Sequence, residues 1–292
     1  MKRQKKQRQK MHKKRQSKIV SLPSAAHCKY LKGEKNKKII TIVWQVSILL
    51  VFVLLWELLT RFPSPSVRFP DRYPFIDAFL FSSPSRIFLT LIDLSKDRLL
   101  IHIGTTLLAC IIGFSLSTLL GTAIATLLWW SKRTRAVLQP YLVVLNALPK
   151  VALGPMIIIW VGVGMQAIVV MTVLICIIVT VISVLNGFLT IDGGKILLLK
   201  SMGARDWQIF IKLILPGSAG HLLSALKVNI GLAWVGTIMG EYLVSRAGLG
   251  YLILYGGTVF KMDLVMTSIV ILCVLAGAMY LGVSGLERVI KK

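Results

Sequence analysis

Acidic residues are scarce in this 292-residue chain: 11 Asp and Glu stand against 35 Lys and Arg, for a formal net charge of +24. Charged residues of both signs make up only 16%, against roughly 25% in a soluble globular domain, while hydrophobic residues reach 55%. An ordinary soluble domain is thereby excluded, and so is a disordered chain, which needs low hydrophobicity. Cysteine and histidine are also few, four of each. Cys28, Cys110, Cys176 and Cys273 show no metal-ligand spacing, and three of them lie in apolar runs as small packing residues. His12, His27, His102 and His221 are equally scattered, so no metal site is expected. Gly193-Gly194-Lys195-Ile196 fails the phosphate-binding G-x-x-x-x-G-K-[ST] pattern in its glycine spacing and in the isoleucine after the lysine. Paired carboxylates, H-E-x-x-H and G-x-S-x-G are absent too, so no catalytic residue is assigned and the chain is expected to do no covalent chemistry.

What the chain has is long apolar runs beside one basic tail. Residues 1–38 hold 15 of the 35 basic residues and a single acid, Glu34. The rest is apolar with modest charge. A helix crossing about 30 Å of hydrocarbon needs about 20 apolar residues. Six segments qualify: 39–60, 104–130, 138–160, 166–189, 222–243 and 264–286. The expected class is therefore all-α, a polytopic membrane protein with six transmembrane helices, since backbone groups in lipid must be satisfied within each segment. The run 39–60 and the basic region before it are both too long for a cleaved signal.

Basic residues set the orientation. With the N-terminus inside, 25 of them fall on the inner side and 8 on the outer, and without the tail the contrast is only 10 against 8. Both termini are then cytoplasmic. The expected organisation is a basic cytoplasmic tail 1–38, a first helix 39–60, an extracytoplasmic segment 61–103, a core 104–286 and a cytoplasmic end 287–292. Pro63, Pro65, Pro70 and Pro74 forbid a continuous helix in the early part of 61–103. After Ser83-Pro84-Ser85, apolar residues from Ile87 to Leu100 recur at helical spacing, as in a helix lying on the membrane surface.

Within the spans, Gly113, Ser117, Gly121 and Ala125 repeat every four residues and form a stripe that admits a second helix closely. The third span is interrupted by Pro140, Asn146, Pro149, Lys150, Gly154 and Pro155. It reads either as a kinked packing helix or as a broken helix lining a transport pathway, which would place Pro149 and Lys150 on that path. Between the fourth and fifth spans lies an amphipathic connection, 192–218. Gly203 supplies a turn and Pro216 the start of a new helix, with short helices over 196–202 and 205–213.

In that connection the pattern G-x9-[IL]-x-L-P, with Gly203, Leu213, Leu215 and Pro216, resembles the coupling-loop signature of permease subunits of binding-protein-dependent bacterial ABC importers. Gly203-Ala204-Arg205-Asp206-Trp207 resembles the core of that loop. The likeness spans roughly residues 80–285. It includes Ser83-Pro84-Ser85, Leu148-Pro149-Lys150-Val151-Ala152-Leu153-Gly154-Pro155, Gly231-Leu232-Ala233-Trp234-Val235, Glu241 and Ala247-Gly248-Leu249-Gly250-Tyr251-Leu252-Ile253. These segments are similar to the branch that imports sulfonates, taurine, nitrate or thiamine-precursor pyrimidines. The resemblance implies a type I importer permease fold in the bacterial inner membrane and a small anionic or heterocyclic solute. It also implies a homodimer or a pair with a paralogue, separate ATPase subunits, and an extracytoplasmic substrate-binding protein. ATP and magnesium would sit on the ATPase, with no cofactor in this chain. One departure stands out: the family begins the loop with Glu-Ala-Ala, where this chain has Leu197, Leu198 and Leu199.

Ionisable groups in lipid are functional candidates. Glu57 is expected near the outer end of the first span and Lys227 to snorkel inward. Glu241, after Trp234 and Met239 near the outer end of the fifth span, has two readings: it lines the path or its gate, or it is an interfacial carboxylate paired with Arg246. For the tail, adhesion to anionic lipid and topology suffice. Nucleic-acid binding lacks a folded reader, since Tyr30 is the tail's one aromatic. The rival function is a secondary transporter driven by an ion gradient, with Glu57 or Glu241 as the coupling site.

Overall fold

The computed structural model describes residues 25–61, 81–96 and 98–290. Among them helices and turns occur and no strand. Residues 1–24 of the basic tail, the proline-rich stretch within 62–80 and the last two residues of the cytoplasmic end lie outside the described residues.

The chain divides into two units, 1–65 and 66–292. In the first, α1 spans Ala25–Arg61 and contains the 22-residue apolar stretch Ile39–Thr60. The helix thus begins fourteen residues before that stretch, within what the sequence marks as tail.

The second unit is built around α6, Met165–Leu189, which packs along α3, Leu99–Trp130, on one side and α9, Ala219–Val244, on the other. Small residues make these approaches close. Gly113, Ser117, Gly121 and Ala125 are all buried on α3. A Cβ at Gly113 would stand 2.5 Å from the Thr172 methyl, and one at Gly121 would stand 2.6 Å from the Thr180 Cβ. On the other side, a Cβ at Gly236 would meet the Thr172 backbone at 2.7 Å and one at Gly240 the Ile168 backbone at 2.8 Å. Without a hydrophobic drive between helices in lipid, such contact and interhelical hydrogen bonds hold the bundle. The bonds are here as well: the Thr172 and Thr237 hydroxyls lie 3.1 Å apart, and the Asn229 amide donates to the Thr180 hydroxyl at 2.5 Å.

The third span is a broken helix. α4, Lys132–Ala147, meets the segment Lys150–Val161 at a bend of 83° across Leu148-Pro149. That segment opens with a 3₁₀ turn, Lys150–Leu153, and continues as α5, Gly154–Val161. Among the described residues five helices are long and apolar enough to cross a membrane, and the bent pair taken as one span makes six. α4 buries no residue within the chain, and Val137, Tyr141, Val143, Val144 and Leu145 are exposed along it.

Two expectations change. The surface helix ends earlier than its apolar spacing predicts: α2 is Pro84–Lys96, Leu99 and Leu100 already belong to α3, and Arg98 between the two helices has φ 44°. α2 does not lie alone on a surface. Ile87 is buried, its carbonyl accepts from the Thr267 hydroxyl, and the Ser82 hydroxyl donates to Asp263 at 2.7 Å. Both partners belong to α11, Met262–Ile290. Lys227 likewise does more than snorkel: it pairs with Glu287 of α11 and lies 5.7 Å from the Tyr280 ring centre.

Candidate functional site

The connection between α6 and α9 is a compact two-helix loop. Asp192 opens α7, Gly193–Ser201, by accepting the Gly194 N–H at 2.8 Å. The helix ends in a paired C-terminal cap: the Ala204 N–H donates to the Leu199 carbonyl at 3.0 Å and the Gly203 N–H to the Lys200 carbonyl at 2.9 Å. That cap needs a left-handed residue, and Gly203 has φ 82°. α8, Asp206–Ile209, begins at once, with the Gln208 side chain accepting the Arg205 N–H at 2.9 Å. Lys200 and Asp206 tie the two helices together at 2.9 Å.

The chain then widens. The Leu215 N–H reaches back five residues to the Phe210 carbonyl, giving a π-helical turn over Phe210–Ile214 before Pro216 leads into α9. The extra residue turns Ile209, Phe210 and Ile214 inward, where all three are buried. Phe210 packs among Trp129, Trp130 and Phe188, tilted against the tryptophans and edge-on to the phenylalanine, with ring centres at 5.2, 5.6 and 5.4 Å. Those rings come from the ends of α3 and α6, so the loop is bolted to two membrane helices. Leu213 packs on the same core.

The tip faces the other way. Leu197, Leu198, Met202 and Trp207 are 67, 62, 74 and 58% exposed. Gly203, Arg205, Leu215 and Pro216 are also exposed, with Ala204 half-buried. Two of the three leucines that replace Glu-Ala-Ala therefore point outward, while Leu199 packs on the core. The missing acid leaves an apolar surface.

The opposite end of α9 carries the second group. Glu241 is 0% exposed. The Thr106 hydroxyl donates to one of its oxygens at 2.7 Å, and the Gly250 N–H donates to the other at 2.6 Å. Thr106 in turn accepts the Leu249 N–H at 2.8 Å, and His102 Nδ1 accepts the Gly248 N–H at 3.0 Å. Three successive backbone donors at the start of α10, Leu249–Thr258, are thus satisfied from α3 and α9. A carboxylate at a helix N-terminus also complements its dipole. Gly248 has φ 129°, and a Cβ there would strike the Glu241 carboxylate. Among the described residues Glu241 makes no ion pair with Arg246, which is exposed. Beside this hairpin lies a cavity of about 850 Å³. Arg98, His102, Arg246, Tyr251, Tyr255 and Lys261 line it, with Asp93 as the acid among them.

Other singled-out residues are spread apart. Trp234 and Met239 line an apolar cavity of about 300 Å³ between α9 and α11. Pro149 sits at the helix break, and Lys150 Nζ turns back to the Asn146 carbonyl at 3.2 Å. Residues 219 and 241 are separated by about 33 Å of helix rise, so the loop and the hairpin are two sites. Among the described residues no group of three or more His, Cys, Asp or Glu is placed to hold a metal. Sequence reasoning missed the Phe210 anchor and the Thr106–His102 support. The adjacent Trp129 and Trp130 at the end of a span were the visible hint of the first.

Comparison with known proteins gives the family. Residues 113–291 match the model of the binding-protein-dependent transport system inner membrane component family. The formylaminopyrimidine transport permease protein ThiX of Halalkalibacterium halodurans is 31% identical over 173 residues, 59% of this chain and 69% of that protein. The taurine transport system permease protein TauC of Escherichia coli is 24% identical, over 64% and 68% of the two chains. The putative aliphatic sulfonates transport permease protein SsuC of Bacillus subtilis is 27% identical over 68% and 72%. In structure, the inward-facing MetNI methionine ABC transporter matches at TM-score 0.60 and 20% identity, covering 66% of this chain and 96% of that one. This is the type I importer permease fold. The chain belongs to the family of binding-protein-dependent transport system inner membrane components, as a multi-pass permease subunit of an ABC importer for small solutes.

Proposed function

We propose that this permease couples solute passage to ATP hydrolysis on separate ATPase subunits through the loop 197–216. The observation that carries the reading is the loop's two-sidedness. Its apolar tip is exposed, and its base is locked into the bundle by Phe210. An exposed apolar patch on a rigid support marks a protein contact. Leu197, Leu198, Met202 and Trp207 enter a groove of the ATPase, and Gly203 to Asp206 shape the turn that fits it. ATP and magnesium belong to that partner. Force on the tip passes through Phe210 to α3 and α6 at once.

A second copy of the chain, or a paralogue, covers the apolar face of α4 and completes the path. The broken α4–α5 segment, with Pro149 and Lys150, and the Trp234–Met239 face of α9 line it. An extracytoplasmic binding protein delivers the solute to the side of the Glu241 hairpin, and both termini lie in the cytoplasm. Glu241 serves the gate from inside, holding α10 in place rather than touching solute. Small anionic or heterocyclic solutes fit the cationic cavity beside that hairpin, in line with the sulfonate, taurine and formylaminopyrimidine permeases among the relatives.

Reconstitution tests the reading. Proteoliposomes holding the permease, its ATPase and its binding protein take up solute only when ATP is inside. Uptake that persists on an ion gradient without ATP would make the chain a secondary transporter instead.

A further inference from the structure

A cavity of about 430 Å³ opens between the base of the coupling loop and the ends of α3, α4 and α6. That volume lies in the usual range for a small-molecule site, roughly 300–1,000 Å³. Trp129, Trp130, Lys132, Arg135, Lys200 and Asp206 line it. Asp206 is already taken by Lys200 at 2.9 Å. Lys132 and Arg135 lie three residues apart on the first turn of α4 and therefore share a face. Neither forms an ion pair among the described residues, and Arg135 is half-buried. A half-buried guanidinium fork without a carboxylate matches a phosphate, which it binds through two parallel hydrogen bonds.

The surroundings add a second requirement. Trp129 and Trp130 close a span and the charges come directly after, the arrangement of a membrane–water boundary. Leu189 and Leu197 complete the rim, and Leu127, one turn before Trp130, is exposed. A free anion has no use for that apolar edge; an acyl chain does.

We propose that the cavity is a site for the phosphate headgroup of an anionic phospholipid. Arg135 and Lys132 hold the phosphate, the tryptophans seat the glycerol region and the acyl chains run along α3. Basic pockets between helices near the bilayer surface bind such headgroups. One wall is the coupling loop and the others are membrane helices, so the lipid bridges the two and stiffens the joint made by Phe210. Placement on the inner leaflet rests on the coupling-loop reading above; the binding itself does not.

The test is lipid retention by the full-length permease, purified in mild detergent, delipidated and titrated with phosphatidylglycerol while native mass spectrometry counts bound lipids. Wild-type protein is expected to hold one tight phosphatidylglycerol per chain. The variant Lys132→Gln with Arg135→Gln should hold it at least about tenfold more weakly. Arg133→Gln, an exposed neighbour outside the cavity, should bind as wild type, and the basic tail is common to all three. Phosphatidylcholine should not compete. Equal retention by the double variant would overturn the proposal. Displacement by millimolar inorganic phosphate would reassign the cavity to a free anion. Loss of ATPase co-purification with lipid retention intact would make it an ATPase contact. Failure of ATP-driven uptake with the lipid result intact would sink the coupling reading and leave this site standing.

Discussion

α9 is attached differently at its two ends. At the Ala219 end the loop 192–218 is held by aromatic packing, with Phe210 against Trp129, Trp130 and Phe188. Its hydrogen bonds are internal to the loop, and its tip is left bare. At the Val244 end the hairpin is held by directed polar bonds, with Glu241, Thr106 and His102 capping α10. Packing tolerates small rotations while keeping contact; a buried carboxylate with fixed donors does not. Under the proposed coupling, the packed end is the joint that transmits motion and the hydrogen-bonded end is the latch. Breaking the latch leaves buried donors without partners, which makes intermediate positions costly.

The largest effect should come from the joint. Phe210→Ala removes a buried ring and should destabilise the loop by about 3–5 kcal/mol. Hydrogen exchange across 205–215 should accelerate, and ATP hydrolysis should continue without uptake. If exchange there matches wild type, the loop is held by something other than the aromatic cluster.

The latch comes next. Glu241→Ala orphans the buried Gly250 N–H, at about 1–3 kcal/mol, and leaves the Thr106 hydroxyl only the His102 carbonyl to donate to. The melting temperature of the purified protein should fall while ATPase co-purification stays unchanged. Gly248→Ala forces a Cβ onto the carboxylate at positive φ, a strain of about 1–3 kcal/mol, and should give the same phenotype. A fall in ATPase binding in either variant would erase the distinction between the two ends.

The smallest change in stability belongs to the tip. Trp207→Ala, at an exposed position, should move stability by no more than about 0.5 kcal/mol. Yet it should weaken ATPase binding by about tenfold or more, as truncating an interface aromatic does. Leu197→Glu restores the acid with which the family begins this loop. It should leave the fold intact, and its effect on ATPase binding reports whether the partner's groove is apolar.

Much of this was legible in the residues because the physics is local. Gly203 marks the left-handed cap of α7 whatever surrounds it, and the four-residue stripe from Gly113 to Ala125 marks a close helix contact. Pro149 marks a break. What was hidden depends on distant partners. Glu241 finds Thr106 across 135 residues of chain, so periodicity points to an ionisable group in a span without naming its bonds. α10 was invisible as a helix because its start is enforced by that carboxylate and by His102, and Gly248 and Gly250 showed as part of the family likeness. The π-helical turn at Phe210 was likewise unreadable, since the spare residue is stabilised by the three rings it meets. Leu197 to Leu199 read in sequence only as a departure from Glu-Ala-Ala; folded, they divide into two outward residues and one inward.

On the proposed function the two ends of α9 face different partners, the ATPase at the loop and the solute's entry side at the hairpin. Site-directed cross-linking tests it most directly. A cysteine at Trp207 and one at Tyr255, each in the full permease within membranes containing its ATPase, are oxidised or bridged and probed for adducts. An ATPase adduct is expected from Trp207→Cys and none from Tyr255→Cys. An adduct from Tyr255→Cys, or none from Trp207→Cys when the ATPase is bound, would contradict the claim.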